Sequence, residues 1–137
     1  MGKLSQFRID VDKSVDGIWR KFGSDIEVKI ARWNNPAFKN YLAELRAPYL
    51  NQLRRRTDDK ELERTIDDLD KKAAARFVIR DWKNMEDDGG KAIAYTPEKA
   101  FEFISDPAYE YFYNYVFNVS NNIDLFFEEQ KEDAVKN

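Results

Sequence analysis

The feature that most constrains the fold is a predicted helix near the carboxyl end that carries two apolar faces instead of one. From about Asp106 to Glu129, aromatic and aliphatic residues recur at the 3.6-residue period of an α-helix. One face comprises Tyr109, Phe112, Tyr113, Val116, Ser120, Ile123 and Phe127. A stripe of this kind is typical of a helix that packs on a hydrophobic core.

The second face of this predicted helix comprises Tyr111, Tyr115, Val119 and Phe126. Two apolar faces on one helix cannot both be in water, so two interpretations stay open. The helix is either central and covered on both sides, or it presents the second face to another protein. Tyrosine suits the latter use, because its ring is apolar and its hydroxyl tolerates water. We hypothesise that these four residues bind a partner.

The amino-terminal part of the chain predicts a β-hairpin. Ile26, Val28 and Ile30 alternate with charged residues, which is typical of a half-buried strand. A Gly-Ser-Asp turn at residues 23–25 separates this run from an earlier one over residues 17–22. Because an isolated hairpin is only marginally stable in water, we expect it to pack on helices.

Two long helices are predicted to follow the hairpin. The first begins at Asn35, which suits the N-cap, with Pro36 at the first helical position. Pro48 falls inside its apolar repeat, so a kink or break is expected near Ala47. The second begins at an Asp58-x-x-Glu61 signature and is predicted to run to about Asn84, with Trp82 near its end.

The remaining segments complete a mainly α domain. Residues 85–95 are predicted to be a turn-bearing loop, and Thr96 and Asp106, each followed by Pro, begin two further helices. The predicted fold is one small helical domain of four to five helices with an N-terminal β-hairpin, a minor α+β character, over all 137 residues. Residues 1–14 and 131–137 are expected to be flexible ends.

The composition removes most catalytic chemistry. The chain has no Cys and no His, so it can supply neither a thiolate nor an imidazole as nucleophile, general base or metal ligand. Its carboxylates lie in runs beside lysines, not alone in the apolar surroundings that raise a pKa for acid–base work. We therefore expect a non-enzymatic protein with no cofactor, no metal and no catalytic residues.

The charge pattern predicts a partner other than nucleic acid or membrane. The net charge is −3, with both signs interspersed, and no apolar run approaches the length of a membrane span. The basic run Arg54-Arg55-Arg56 is better explained by a helix C-terminus than by RNA contact. The Asp87-Asp88-Gly89-Gly90 loop lacks the interior ligands of a calcium loop and is interpreted as a turn.

Several of these features occur together and in order. The hairpin leads through Ala31-Arg32-Trp33-Asn34-Asn35-Pro36 into a helix, and a later block runs from Trp82-Lys83-Asn84 through the acidic Gly loop to Tyr95-Thr96-Pro97-Glu98. This set, covering roughly residues 15–130, resembles the tail assembly chaperones of siphophages, the group that includes the lambda-like phages. Arg80-Asp81 departs from that pattern, where an apolar residue and Gly would be expected.

The resemblance implies a function in virus assembly. Proteins of this kind bind the tape measure protein and the tail tube protein before the tube polymerises. They act in the host cytoplasm and are absent from the mature virion. A homo-oligomer is also expected. Since tape measure proteins are long helices with apolar stripes, an aromatic face that offers helix-in-groove contact agrees with this function.

Two alternative functions stay open at this point. A structural tail completion or connector subunit would also associate through aromatic residues, but it would be found in purified particles. A small protein-binding adaptor would bind one folded partner. Co-purification with an elongated helical client separates the chaperone from the adaptor.

Overall fold

The computed structural model describes residues 1–55 and 59–129. It contains a three-stranded antiparallel sheet with the order β1-β2-β3. The strands are β1 (Ile18–Phe22), β2 (Ile26–Ile30) and β3 (Ile79–Lys83). The first two form the predicted hairpin, with Phe22 paired to Ile26 at the turn.

Helices make up most of the rest, and the prediction of a mainly α fold with minor β structure is confirmed. The α-helices are α1 (Val11–Asp16), α2 (Pro36–Arg46), α3 (Leu50–Arg54), α4 (Lys60–Phe77), α5 (Pro97–Ser105) and α6 (Glu110–Ser120). Short 3₁₀ helices cover Leu4–Phe7, Ala47–Tyr49, Pro107–Tyr109 and Ile123–Phe126. As predicted, Asn35 caps α2, and the helix breaks before Pro48.

The core lies between the sheet and helices α2, α4, α5 and α6. Ala73, Ala74 and Ala75 of α4 and Ala100 of α5 are all buried. Side chains this small let two helices approach closely. Larger buried residues fill the space toward the sheet: Val28, Ile30, Phe38, Val78, Ile79, Trp82, Ile104, Phe112, Val116 and Val119.

The junction over residues 31–36 ties three distant parts of the chain to the hairpin. Three consecutive backbone amides donate to carbonyl oxygens in three different segments. The pairs are Ala31 with Val78 at 2.7 Å, Arg32 with Ser14 at 2.9 Å and Trp33 with Ser120 at 2.9 Å. The segment that carries the family resemblance is therefore a structural junction.

The Asn35 side chain is the centre of this junction and is fully buried. Its Nδ2 donates to the carbonyl oxygens of Arg32 at 2.8 Å and Phe77 at 2.9 Å. Its Oδ1 accepts from the amide of Phe38 at 3.0 Å, which caps α2. One side-chain amide thus bonds three backbone groups, and its own buried donor and acceptor atoms are all paired, as buried polar atoms require.

A second set of contacts fixes the passage from α4 into β3. The Tyr95 hydroxyl lies 2.7 Å from the carbonyl oxygen of Ala75 and 2.6 Å from that of Ile79. The indole Nε1 of Trp82 donates to the carbonyl oxygen of Ile93 at 2.7 Å. Burial raises the pKa of Tyr95 to about 12, so the hydroxyl stays protonated well above the pH at which an ordinary tyrosine ionises.

The prediction that the second long helix reaches Asn84 is wrong. Helix α4 ends at Phe77, and residues 79–83 form β3 instead. Strand β3 pairs with β2 and covers an edge that the hairpin alone would expose. Asn84 follows with a positive φ of 60° and donates from Nδ2 to the carbonyl oxygen of Asp25 at 3.2 Å.

The predicted extent of the last helix is also wrong. Helix α6 ends at Ser120 and not near Glu129. The Ser120 hydroxyl and the Asn121 side-chain amide both donate to the carbonyl oxygen of Phe117, at 3.0 and 2.8 Å. Side chains that bond a nearby carbonyl compete with the helix and favour its termination.

The amino-terminal residues, expected to be loosely ordered, have defined structure. Asp10 caps α1 by accepting from the amide of Lys13 at 3.1 Å. The amide of Asp10 donates to Phe126 O, and that of Glu128 donates to Arg8 O, both at 2.8 Å. The start of the chain therefore pairs with the segment after α6.

Some predictions fall on residues outside the described ranges. Asp58, proposed as a helix signature, is one of them, and the observed cap of α4 is Asp59, which accepts from the amides of Glu61 and Leu62. Arg54 ends α3, as the helix C-terminus interpretation of the basic run requires, whereas Arg56 is not described. The tail over residues 131–137 is also outside the description.

Candidate protein-binding groove

A groove of about 390 Å³ lies between the hairpin turn, the loop after β3 and the start of α6. We call it the aromatic groove. Its apolar lining consists of Phe22, Ile26, Met85, Ile93, Phe103, Tyr109 and Phe112. Its charged lining consists of Glu86, Asp87 and Asp88, which we call the acidic lip, and of Lys99.

The hairpin supplies one wall of the aromatic groove. Phe22 and Ile26 are partners across the tight turn, so their side chains lie on the same face of the sheet. The ring of Phe22 contacts three rings of α6, with centroid distances of 5.2 Å to Phe112, 5.0 Å to Tyr115 and 5.7 Å to Tyr111. The wall is therefore locked to the helix by aromatic packing.

The loop after β3 supplies the second wall and is held in shape by hydrogen bonds. The amide of Ile93 donates to Met85 O at 2.8 Å. One carboxylate oxygen of Asp87 accepts from the amides of Gly89 and Lys91, both at 2.9 Å. These bonds form a turn that fixes the acidic lip beside the groove.

Helix α5 and the turn into α6 supply the third wall. Phe103 packs edge-on against Tyr109 with a centroid distance of 5.2 Å, and it also contacts Trp82 at 5.8 Å. Tyr109 ends a 3₁₀ helix that Asp106 caps by accepting from the amide of Ala108 at 2.9 Å. Tyr109 remains 47% exposed, so this wall reaches the surface.

The four residues predicted to bind a partner divide into two groups. Tyr111 is 81% exposed and Tyr115 is half-buried, and both contact the Phe22 wall. The Tyr115 hydroxyl donates to the carbonyl oxygen of Lys21 at 2.7 Å. The surface thus extends from the aromatic groove across Phe22 onto Tyr111.

Val119 and Phe126 do not lie on this surface. Val119 is 9% exposed and Phe126 is fully buried. The expectation that they continue one exposed stripe is wrong, because Val119 packs in the core from within α6, and Phe126 belongs to a separate 3₁₀ helix after α6 ends at Ser120. That helix turns the Phe126 ring into the interior beside the amino-terminal segment.

Sequence reasoning missed most of the groove. Phe22, Ile26, Met85, Ile93 and Phe103 come from segments far apart in the chain, and no local pattern brings them together. Tyr109 and Phe112 were assigned to the core face, which is correct for Phe112 alone. The available signal was the acidic Gly loop between two apolar segments, which predicted the turn but not its neighbours.

Other kinds of site have less support in the described ranges. They contain no group of three or more acidic side chains arranged to hold a metal ion. No helix among them is both long and apolar enough to cross a membrane. Burial, with the charges of Asp67 and Asp70, raises the pKa of Tyr113, which lies outside the aromatic groove.

Fold and groove together define a small, mainly α protein with an exposed apolar groove fringed by carboxylates. A family model described as YdaY prophage protein matches residues 33–137, and the chain belongs to this phage-derived family. The match includes α2 to α6, β3 and the acidic lip, while Phe22 and Ile26 precede it. No curated protein and no solved structure matches the chain.

Proposed function

We propose that this prophage protein is a tail assembly chaperone that binds the tape measure and tail tube proteins during tail assembly. The observation that carries the proposal is the aromatic groove, which continues over Phe22 onto the 81% exposed ring of Tyr111. Exposed apolar patches rimmed by polar residues usually mark interaction sites. The family itself is phage-derived, and its role in tail assembly is the part that we propose.

The physical basis is the temporary covering of apolar helices. A long helix with an apolar stripe aggregates unless that stripe is covered before assembly. A groove with rigid aromatic walls can bind such a stripe with little loss of side-chain freedom, because its rings are already packed on one another. The acidic, highly charged remainder of the surface would keep the complex soluble.

The proposal also includes the setting in which the protein acts. Binding would occur in the host cytoplasm, without catalysis and without a cofactor, and the protein would leave before the virion is complete. Self-association of the chaperone is included as well, since an exposed aromatic surface can serve a second copy before the client arrives.

Co-expression with a tape measure fragment tests this function. We expect the wild-type protein to keep the fragment soluble and the Tyr109→Ser, Tyr111→Ser double variant to lose that effect. The matched control is Phe7→Ser with Leu50→Ser, because these residues are 62% and 47% exposed but lie outside the aromatic groove. A fragment whose solubility is unaffected by the wild-type protein would contradict the proposal.

A further inference from the structure

The lining of the aromatic groove is unequal in charge. Glu86, Asp87 and Asp88 contribute three carboxylates, and Lys99 contributes one ammonium group. The Lys99 Nζ lies 3.4 Å from a carboxylate oxygen of Glu102, so part of its charge is already compensated. The groove therefore combines an apolar interior with a negative edge.

The acidic lip is a shaped feature of the loop. Asp87 holds the turn through its two backbone hydrogen bonds, and this places Glu86 and Asp88 on either side of it, both exposed. The isolated bridge between Glu86 and Ala92 closes the same loop. A fixed row of carboxylates beside an apolar surface attracts cations next to apolar groups.

We infer that the aromatic groove takes an amphipathic helical segment whose apolar stripe is flanked by Lys or Arg. This inference rests on the proposed function and specifies the chemistry of the client. The apolar stripe would enter between Phe22, Phe103 and Phe112, and the flanking cations would contact Glu86 and Asp88. Charge complementarity of this kind selects among helices that are equally apolar.

Other occupants fit the groove less well. A nucleic acid would be repelled by the carboxylates, because its phosphates are also negative. A small ligand usually requires polar groups that converge inside its pocket, whereas the interior here is formed by rings and aliphatic chains. The continuation of the surface onto Tyr111 favours an elongated polypeptide.

Two synthetic peptides of one design test the inference. Both carry the same leucine stripe on a helical repeat, one with Lys flanking the stripe and the other with Glu. At an ionic strength of about 0.01 M we expect the Lys peptide to bind the full-length protein about tenfold more tightly than the Glu peptide. At about 0.5 M salt the difference should fall to about twofold, because exposed charges are screened.

Variants of the acidic lip locate the effect. Glu86→Gln with Asp88→Asn should weaken binding of the Lys peptide about 3- to 10-fold and leave the Glu peptide no weaker, as expected for exposed ion pairs. Asp87 is kept, since it holds the turn. Glu63→Gln with Asp68→Asn removes the same two charges from the exposed side of α4 and should leave the affinity unchanged.

The outcomes separate this inference from the proposed function. If both peptides bind with equal affinity and the Tyr109→Ser, Tyr111→Ser variant binds neither, the charge selection is overturned. The groove would still be a client site. Binding of neither peptide, together with an insoluble tape measure fragment, overturns both. If the protein self-associates, the Glu86→Gln, Asp88→Asn variant does not, and neither peptide binds, the groove is occupied by a second copy. That result would overturn the inference.

Discussion

The two halves of the carboxyl-terminal apolar segment, residues 109–115 and 116–126, place the rings of Tyr111 and Phe126 in opposite environments. In residues 109–115, Tyr109 and Tyr111 are 47% and 81% exposed, and Tyr109 and the buried Phe112 line the aromatic groove. In residues 116–126, Val116, Val119 and Phe126 are buried, whereas Phe117 and Ile123 are 41% and 45% exposed. The difference between Tyr111 and Phe126 arises where α6 ends, because a continuous helix would have placed these two rings on the same face.

The end of a helix can therefore separate a binding surface from a core. We propose that the exposed rings of residues 109–115 bind a client. The segment with the buried Phe126 ring anchors the amino-terminal residues, because the Asp10 amide donates to the Phe126 carbonyl oxygen. Substitutions should therefore affect stability in one half and binding in the other.

The largest effect is expected at Phe126. Replacing this fully buried ring by Ala should lower the free energy of unfolding by about 3–5 kcal/mol, because burial is lost and a cavity remains. Chemical denaturation measures the change. Tyr111→Ala is the matched control and should change the free energy by less than about 0.5 kcal/mol. Equal changes in the free energy of unfolding at the two positions would contradict the assignment of Phe126 to the core and Tyr111 to the binding surface.

A somewhat smaller effect is expected at Asn35, which supports residues 116–126 through the junction with Ser120. Asn35→Ala should cost about 2–4 kcal/mol, since it removes the α2 cap and the side-chain donor to the carbonyl oxygens of Arg32 and Phe77. Asn35→Asp restores the cap but cannot donate to those carbonyls, so it should remain destabilised. Asn40→Ala, on the exposed side of α2, is the control. A stable Asn35→Ala variant would contradict the structural role of the junction.

The pH dependence of stability tests the junction between α4 and β3. Burial raises the pKa of Tyr95 to about 12, whereas a tyrosine in an unfolded chain ionises near 10. The stabilisation of the folded state by the protonated Tyr95 hydroxyl is therefore fully present below pH 10, and it is lost as the pH rises through 12. Tyr95→Phe should lower stability at pH 8 by about 1 kcal/mol and reduce the loss between pH 10 and 12. If the variant loses as much stability between pH 10 and 12 as the wild type, a group other than Tyr95 causes this pH dependence.

The smallest stability effect with a distinct structural cause is expected at Tyr115, at the boundary between the halves. Tyr115→Phe removes the hydroxyl that donates to Lys21 O and keeps the ring on Phe22. The free energy of unfolding should fall by about 0.5–1 kcal/mol, the usual range for one hydrogen bond. Client binding should be retained, because the ring remains. Loss of client binding without loss of stability would extend the binding surface to the hydroxyl.

Much of the fold could be predicted because its signals are local. The hairpin follows from alternation over residues 26–30, and the helix starts follow from a capping side chain before Pro at positions 35, 96 and 106. The break before Pro48 has the same local origin. The predictions of these elements are correct because the local backbone preference and the tertiary structure agree.

The rest depended on contacts between distant residues. Residues 79–83 are a strand because β2 offers an open edge, and this pairing overrides a sequence that continues the helical pattern of α4. The groove is equally non-local, since Phe22 and Phe112 meet only after the hairpin packs on α6. Tyr111 was identified from the sequence because it interrupts the core stripe, but Phe126 was misassigned with it once α6 was taken to continue.

Amide hydrogen exchange of the full-length protein, with and without a soluble tape measure fragment, tests whether the aromatic groove binds the client. Our account predicts that the fragment slows exchange at residues 22–26, 85–93 and 109–115, which form the groove and its extension. Exchange at residues 123–127 should stay unchanged, because that segment lies outside the groove. Protection confined to residues outside the groove, or no protection by a fragment that binds, would contradict the account.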